Sequence, residues 1–203
     1  IVCNEMKWPV DPVEIWEGGT NGLPLQNATT TGYYLKKYVN NTISFEAGST
    51  VTKKQHNWVL FRYGEILLNY AEAMINAFHD PNYKDAVYNM SAREAVNQIR
   101  GRTNISLPGF PSDITEKDFV KRLKNERRVE LAFEGHRFWD VRRWKELGQT
   151  ANIYGVKITK NNEVISYEKF LLETRAVTDN MYFYPIPNTE RFKNPNLGQN
   201  PGW

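Results

Sequence analysis

Two groups of glutamates have spacings that could support acid–base chemistry. Glu65 and Glu72 lie seven residues apart, and Glu126, Glu130 and Glu134 lie four apart. On a helix such steps stack each group along one face. Glycoside hydrolysis needs two carboxylates about 5–10 Å apart across a cleft, one with a raised pKa. Helical stacking supplies the distance but not the cleft. Arg122 precedes Glu126 by four residues and Arg127 precedes Glu130 by three, so local ion pairs are predicted for both acids. A poised general acid more often has apolar surroundings. The predicted catalytic set is therefore empty. An α-helical glycoside hydrolase using paired glutamates stays as the alternative.

Other chemistries find less support. His56, His79 and His136 lie far apart, with no His or Cys partner at ligand spacing, so no transition-metal site is predicted. No EF-hand pattern is present, although a loop-bound calcium ion stays open. There is no Gly-x-Ser-x-Gly elbow. Cys3 has no evident base, and Gly18-Gly19 lacks the strand-to-helix context of a phosphate cradle. No cofactor is implied. Arg127, Arg128, Arg137, Arg142 and Arg143 interleave with Phe138, Trp139 and Trp144 as on a nucleic-acid surface. Glu126, Glu130, Glu134 and Asp140 cancel much of that charge, and the whole chain carries only +3. Phosphate binding wants an excess of positive potential, so no nucleic-acid partner is predicted. The stretch from Asn125 to Trp144 reads instead as an internally neutralised helix junction beside bulky rings.

The elements that position these groups follow from periodicity. Residues 1–50 have no sustained period and carry turn chemistry at Gly18-Gly19, Gly22, Pro24 and Thr29–Gly32. Short strands are predicted at Tyr33–Val39 and Thr42–Phe45. Leu60, Tyr63, Leu67, Tyr70, Met74 and Phe78 form one apolar stripe and predict a helix over 60–78. Ser91 with Glu94 is a capping box and opens a helix over 91–104. A third helix is predicted over 115–133, with Gly135 left-handed just beyond it, and helix resumes over 137–147. Val156–Thr159 and Val164–Tyr167 predict a hairpin around Asn161-Asn162. The Pro-rich end is extended, with one helical turn after Pro187. The small-then-large helix pairs are of the tetratricopeptide kind. The expected class is mainly α: superhelical α/α pairs, loop-rich segments and a small β-hairpin. No run of about 18 apolar residues exists to span a bilayer as a helix.

Three blocks resemble a known family. The 125–144 stretch, FRYGEILLNYAEA (Phe61 to Ala73) and FYPIPNTERFKNPNLGQNPGW (Phe183 to Trp203) are together similar to the C-terminal part of the SusD/RagB family. These are outer-membrane nutrient-binding lipoproteins of Bacteroidetes. The resemblance covers roughly residues 32–203; residues 1–31 do not match clearly. It implies a non-catalytic protein, lipid-anchored and exposed at the cell surface. Such a protein captures glycan and passes it to a SusC-like TonB-dependent transporter; some relatives handle peptides. It also implies a helical N-terminal half that this chain lacks. The absence of signal-peptide features before Cys3 accords with a C-terminal fragment. The expected organisation is an irregular, ligand-facing part over 1–50 and a helical domain with hairpin and extended tail over 51–203.

The matched blocks contain no ligand motif and read as scaffold. Sugar capture must therefore be sought by its physics. Sugars stack apolar C–H faces on exposed rings, and irregular loops are where such rings serve binding. Aromatic residues make up 13% of the chain, with six Trp and eleven Tyr. Trp8, Trp16, Tyr33 and Tyr34 lie outside the periodic segments and are the predicted ligand-binding residues. Asn21, Gln26 and Asn27 are candidate polar contacts, and packing is the competing role for each ring.

Overall fold

A computed structural model describes residues 2–7, 11–40, 42–43, 50 and 52–203. The chain divides into two compact units, one formed by residues 57–139 and the other by 1–56 with 140–203.

In the 57–139 unit, α1 (Tyr63–Phe78), α2 (Ala92–Arg100) and α3 (Glu116–Glu130) enclose one apolar core. Leu67, Leu68, Ala71, Met74 and Ile75 bury the inner face of α1, which packs on both α2 and α3. Ala92, Ala95, Val96 and Ile99 do the same for α2, and the small alanines let the helices approach. Phe119 and Leu123 enter from α3. The predicted caps form. Ser91 Oγ accepts from Glu94 N at 3.2 Å while Glu94 Oε2 accepts from Ser91 N at 2.8 Å. Thr115 Oγ1 accepts from Asp118 N at 3.2 Å.

All three helices are shorter than predicted. The first begins at Tyr63 because Arg62 is extended, so Leu60 lies outside it, exposed. The second stops at Arg100, where Gly101 closes the last turn. The third stops at Glu130, and the chain turns through a left-handed Phe133 as well as the expected left-handed Gly135. Helix α4 (His136–Arg143) follows.

Among the described residues the second unit has little helix: the end of α4, two 3₁₀ turns (Leu147–Thr150 and Asp179–Tyr182) and α5 (Asn188–Lys193). Its sheet is the predicted hairpin, longer than expected. β1 (Asn152–Asn161) pairs antiparallel with β2 (Val164–Thr174), and the turn residues are Asn162 and Glu163. Asn162 takes the left-handed conformation that Asn tolerates. The strands predicted at 33–39 and 42–45 do not appear among the described residues; 44–49 lie outside them. Tyr34 makes only an isolated bridge to Val2. Left-handed Tyr38 breaks the extended run, and Asn40 Oδ1 turns the chain by accepting from Thr42 N. A small cluster of Val2, Val13, Ile15 and Ile158 is the buried apolar centre of this unit.

Phe119 is fully buried and Ser91 nearly so. In urea unfolding, Phe119→Ala is expected to cost about 3–5 kcal/mol and Ser91→Ala about 1 kcal/mol. Equal small losses would show that the helical core is not the stabilising element.

Candidate functional site

The rings singled out by sequence lie in the 1–56/140–203 unit. Trp8 lies outside the described residues. Trp16 is half-buried against the small apolar cluster, with Lys160 Nζ 4.5 Å from its ring centre. Tyr33 is 43% exposed. Tyr34 is half-buried on the same cluster; its hydroxyl donates to the Asn21 carbonyl at 2.7 Å and accepts from Thr29 N at 3.1 Å. Tyr34 thereby pins the 21–29 loop, while its backbone pairs with Val2. Asn21 is also engaged, since Oδ1 accepts from Glu14 N at 3.1 Å. Gln26 and Asn27 are exposed.

The same unit has a recess of about 200 Å³ lined by Ile15, Leu23, Thr29, Gly32, Ile158 and Phe170, among others; Trp16, Tyr33 and Tyr34 do not line it. That volume is below the roughly 300–1,000 Å³ of drug-sized sites, so it admits a single small group. Gly32 makes the recess possible. Its φ is +79°, and a Cβ there would lie 2.3 Å from the Val156 carbonyl oxygen, so only glycine fits.

The glutamates form a different kind of site. Arg62, just before α1, reaches the end of α3. Its Nε and Nη2 donate to the two carboxylate oxygens of Glu134 at 2.7 and 2.8 Å. Nη1 donates to Glu130 Oε1 at 2.6 Å, and Nη2 also donates to the Glu130 carbonyl at 2.7 Å. Arg102 adds a bidentate pair to Glu130, both bonds 2.8 Å. Glu126 is buried and accepts from Arg100 Nη1 at 2.5 Å. Buried Arg127 donates to Asn69 Oδ1 at 2.6 Å. His136 Nε2 lies 3.6 Å from Glu65 Oε2, and Asp140 accepts from Arg143 at 2.9 Å.

The predicted pairing of Glu126 with Arg122 is thus corrected. Glu126 and Glu130 draw partners from other elements, and Arg122 lies by the Phe110 ring, 5.9 Å from its centre. Arg122, four residues earlier on the same helix, stays exposed, whereas Arg100 arrives from α2 beside the buried Glu126 carboxylate, which needs a partner. Burial pushes the Glu130 carboxyl up, but hydrogen bonds from Arg102 and Arg62 outweigh it and hold the group below its ordinary value. Mainly the Glu134 hydrogen bond, against a desolvation cost, raises the Arg62 pKa. Among the described residues, no cluster of three or more His, Cys, Asp or Glu side chains is arranged to hold a metal ion.

The tail block is held by its own amides. Gln199 accepts from Ile186 N at 2.7 Å and donates to Ile186 O at 3.0 Å. The Trp203 indole donates to the Asn180 carbonyl at 2.9 Å. All three sequence blocks therefore contribute scaffold contacts.

A sequence profile described as the SusD family matches residues 9–203. The chain belongs to the SusD family. Membership begins earlier than the residue 32 expected from the motifs, because the irregular first part carries no periodic signal. This SusD-family chain is 29% identical over 163 residues to SusD-like protein P2 of Formosa agariphila, covering 77% of this chain and 28% of that protein. It is 37% identical over 150 residues to SusD-like protein P38 of the same organism, covering 71% and 24%. It also resembles the crystal structure of a SusD-like protein from Bacteroides fragilis. The TM-score is 0.74 at 28% identity, over 95% of this chain and 34% of that one. The chain thus spans about a quarter to a third of these relatives. The mainly helical class with a small hairpin is the one expected for the family. No helix among the described residues is long and apolar enough to cross a membrane.

Because the Glu130 pKa is depressed in the fold, its contribution to stability is full above the ordinary carboxylate pKa. It is lost as pH falls through the lower folded value. Acid titration of wild type should therefore show a stability drop below about pH 4.5. Arg62→Lys, which cannot make four directed bonds, should shrink that drop and lower stability near neutral pH by about 1–3 kcal/mol. An unchanged acid profile in the variant would remove the clamp from the account.

Proposed function

We propose that this chain is part of a non-catalytic glycan-binding protein at the bacterial outer membrane, lipid-anchored and surface-exposed. It delivers its ligand to a SusC-like TonB-dependent transporter. The observation that carries this reading is the SusD-family match across residues 9–203. The fate of the glutamates supports it. Glu130, Glu134 and Glu126 are tied to guanidinium groups, and Glu130 is held below its ordinary pKa, the opposite of what a glycosidic acid requires.

The ligand contacts are assigned to Trp8, Trp16, Tyr33 and Tyr34. Tyr33 offers the most open ring of those described, and Trp16 the broadest. Tyr34 holds the loop that frames the recess. Truncating a stacking ring should weaken glycan binding by about 1–3 kcal/mol, by analogy with other ring stacking. Titration calorimetry of Trp16→Ala and Tyr33→Ala against a panel of oligosaccharides and peptides checks this. Wild-type affinity in both variants would place the contacts elsewhere, and binding of peptides alone would replace the glycan.

A further part of the protein is also proposed as a partner, in the family's manner a helical N-terminal half. Apolar side chains flank the Arg62 clamp in the open: Trp58 is 74% exposed and Phe61 78%, with Leu60, Tyr63, Val129 and Phe133 also exposed. Exposed apolar surface beyond a few hundred Å² marks an interface. Expressed alone, the 203 residues should bind a hydrophobic dye and self-associate. A dye-silent, monodisperse monomer in light scattering would show that these side chains need no cover.

A further inference from the structure

In the 57–139 unit, one face of α3 carries polar side chains that make no ion pair among the described residues. Asp118, Lys121, Arg122 and Asn125 recur at steps of three and four and so share a helix face. With Arg100, Phe110 and Glu126 they line a cleft of about 450 Å³, within the size range of small-ligand sites.

The groups in this cleft differ in how fully they are used. Arg100 is committed through Nε to the Pro108 carbonyl at 2.7 Å and through Nη1 to Glu126 at 2.5 Å, which leaves Nη2 unused. Asp118 Oδ2 accepts from Thr115 Oγ1 at 3.1 Å, and its second oxygen is available. Lys121 and Asn125 have no hydrogen bond or ion pair among the described residues, and Arg122 only its contact with the Phe110 ring. Lys121, Arg122 and Asn125 are exposed.

The charge and the ring state together select a ligand. Glu126 neutralises Arg100, and Asp118 offsets one of the two remaining cations, so the cleft favours a single negative charge. A neutral sugar would need an open ring to stack on. Phe110 is buried, with the Arg100 guanidinium 5.1 Å and that of Arg122 5.9 Å from its centre. Affinity must therefore come from charge-assisted hydrogen bonds. A guanidinium fork matches a planar carboxylate, and the Asn125 amide and free Asp118 oxygen suit hydroxyl groups.

We infer that this cleft binds an acidic saccharide, with a uronate carboxylate on Arg122 and Lys121 and ring hydroxyls on Asn125 and Asp118. The inference rests on the glycan-binding reading and narrows its ligand class.

The test uses the full chain with three probes: an oligogalacturonate, the same oligosaccharide with its carboxyl groups reduced to alcohols, and sodium acetate. Calorimetry should show the acidic oligosaccharide binding wild type at least about tenfold more tightly than the reduced one, the ratio expected for one or two charge-assisted bonds. Lys121→Ala/Arg122→Ala should abolish that preference. Both side chains are exposed, so an unchanged melting temperature is expected to accompany the loss. The preference should also fall toward unity at about 1 M salt, where the screening length is about 3 Å. Equal affinity of wild type and double variant for the oligogalacturonate would overturn the inference. So would acetate binding as tightly as the oligosaccharide, which would make the cleft a site for free carboxylates. If neutral glycans bind and depend on Trp16 while the acidic one ignores Lys121 and Arg122, the inference fails and the parent reading stands. If no saccharide of either kind binds, both fail together.

Discussion

The 57–139 unit depends on how one guanidinium is satisfied. The end of α3 leaves orphan backbone carbonyls and brings two mostly buried carboxylates, Glu130 and Glu134, to the same place. An isolated buried carboxylate costs several kcal/mol, and an ion pair offsets this only when its geometry supplies enough hydrogen bonds. Arg62 meets that condition with four donated bonds, one of them to the Glu130 carbonyl. Its position just before α1 would otherwise put a cation at the positive end of a helix dipole; the two acids remove that conflict. Gly64 leaves the path open, since a Cβ there would come within 2.8 Å of Arg62 Nη1 and 3.3 Å of Glu130 Oε1. The clamp thus links the start of α1 to the end of α3, while His79 Nδ1 and Glu116 Oε1, 2.6 Å apart, link the opposite ends.

The other unit is stabilised differently, and the difference bears on function. Its buried apolar cluster is small. Much of its order comes from side chains that satisfy loop backbone: Asn4 Oδ1 accepts from Ile15 N, Tyr34 bridges 21 and 29, and Gln199 and Trp203 fold the tail. Loops held by such bonds can present rings and hydroxyls to solvent without losing their conformation. That is the arrangement a binding surface needs. The recess lined by Ile15, Leu23 and Phe170 arises where Gly32 lets one loop approach a strand.

Charge on α3 serves two ends at once. Its inner acids and Arg127 are consumed by partners on other elements. Asp118, Lys121, Arg122 and Asn125 make no ion pair among the described residues, and they line a cleft. In sequence the two sets are interleaved and look alike. Only burial separates a charge that stabilises the fold from one that is available to a ligand.

The sequence by itself determined the helices of the 57–139 unit and the hairpin, though not the strand expected at 33–39. Apolar steps of three and four located α1, α2 and α3, Ser91 with Glu94 fixed one helix start, and alternating residues marked the hairpin. These signals lie within a few residues of one another, so the chain's path elsewhere does not affect them. The family, too, was legible, because its motifs are the scaffold contacts themselves. Tertiary structure alone decided which arginine met which glutamate. Arg62 is 68 residues from Glu130 and 72 from Glu134, and no local spacing encodes such a choice. It also decided that the Tyr34 hydroxyl ties down a loop, that residues 140–203 fold with 1–56, and that the α3 stripe borders a cleft. Each of these depends on which distant segments arrive together, and that is set by the packing of the whole unit rather than by any short window of residues.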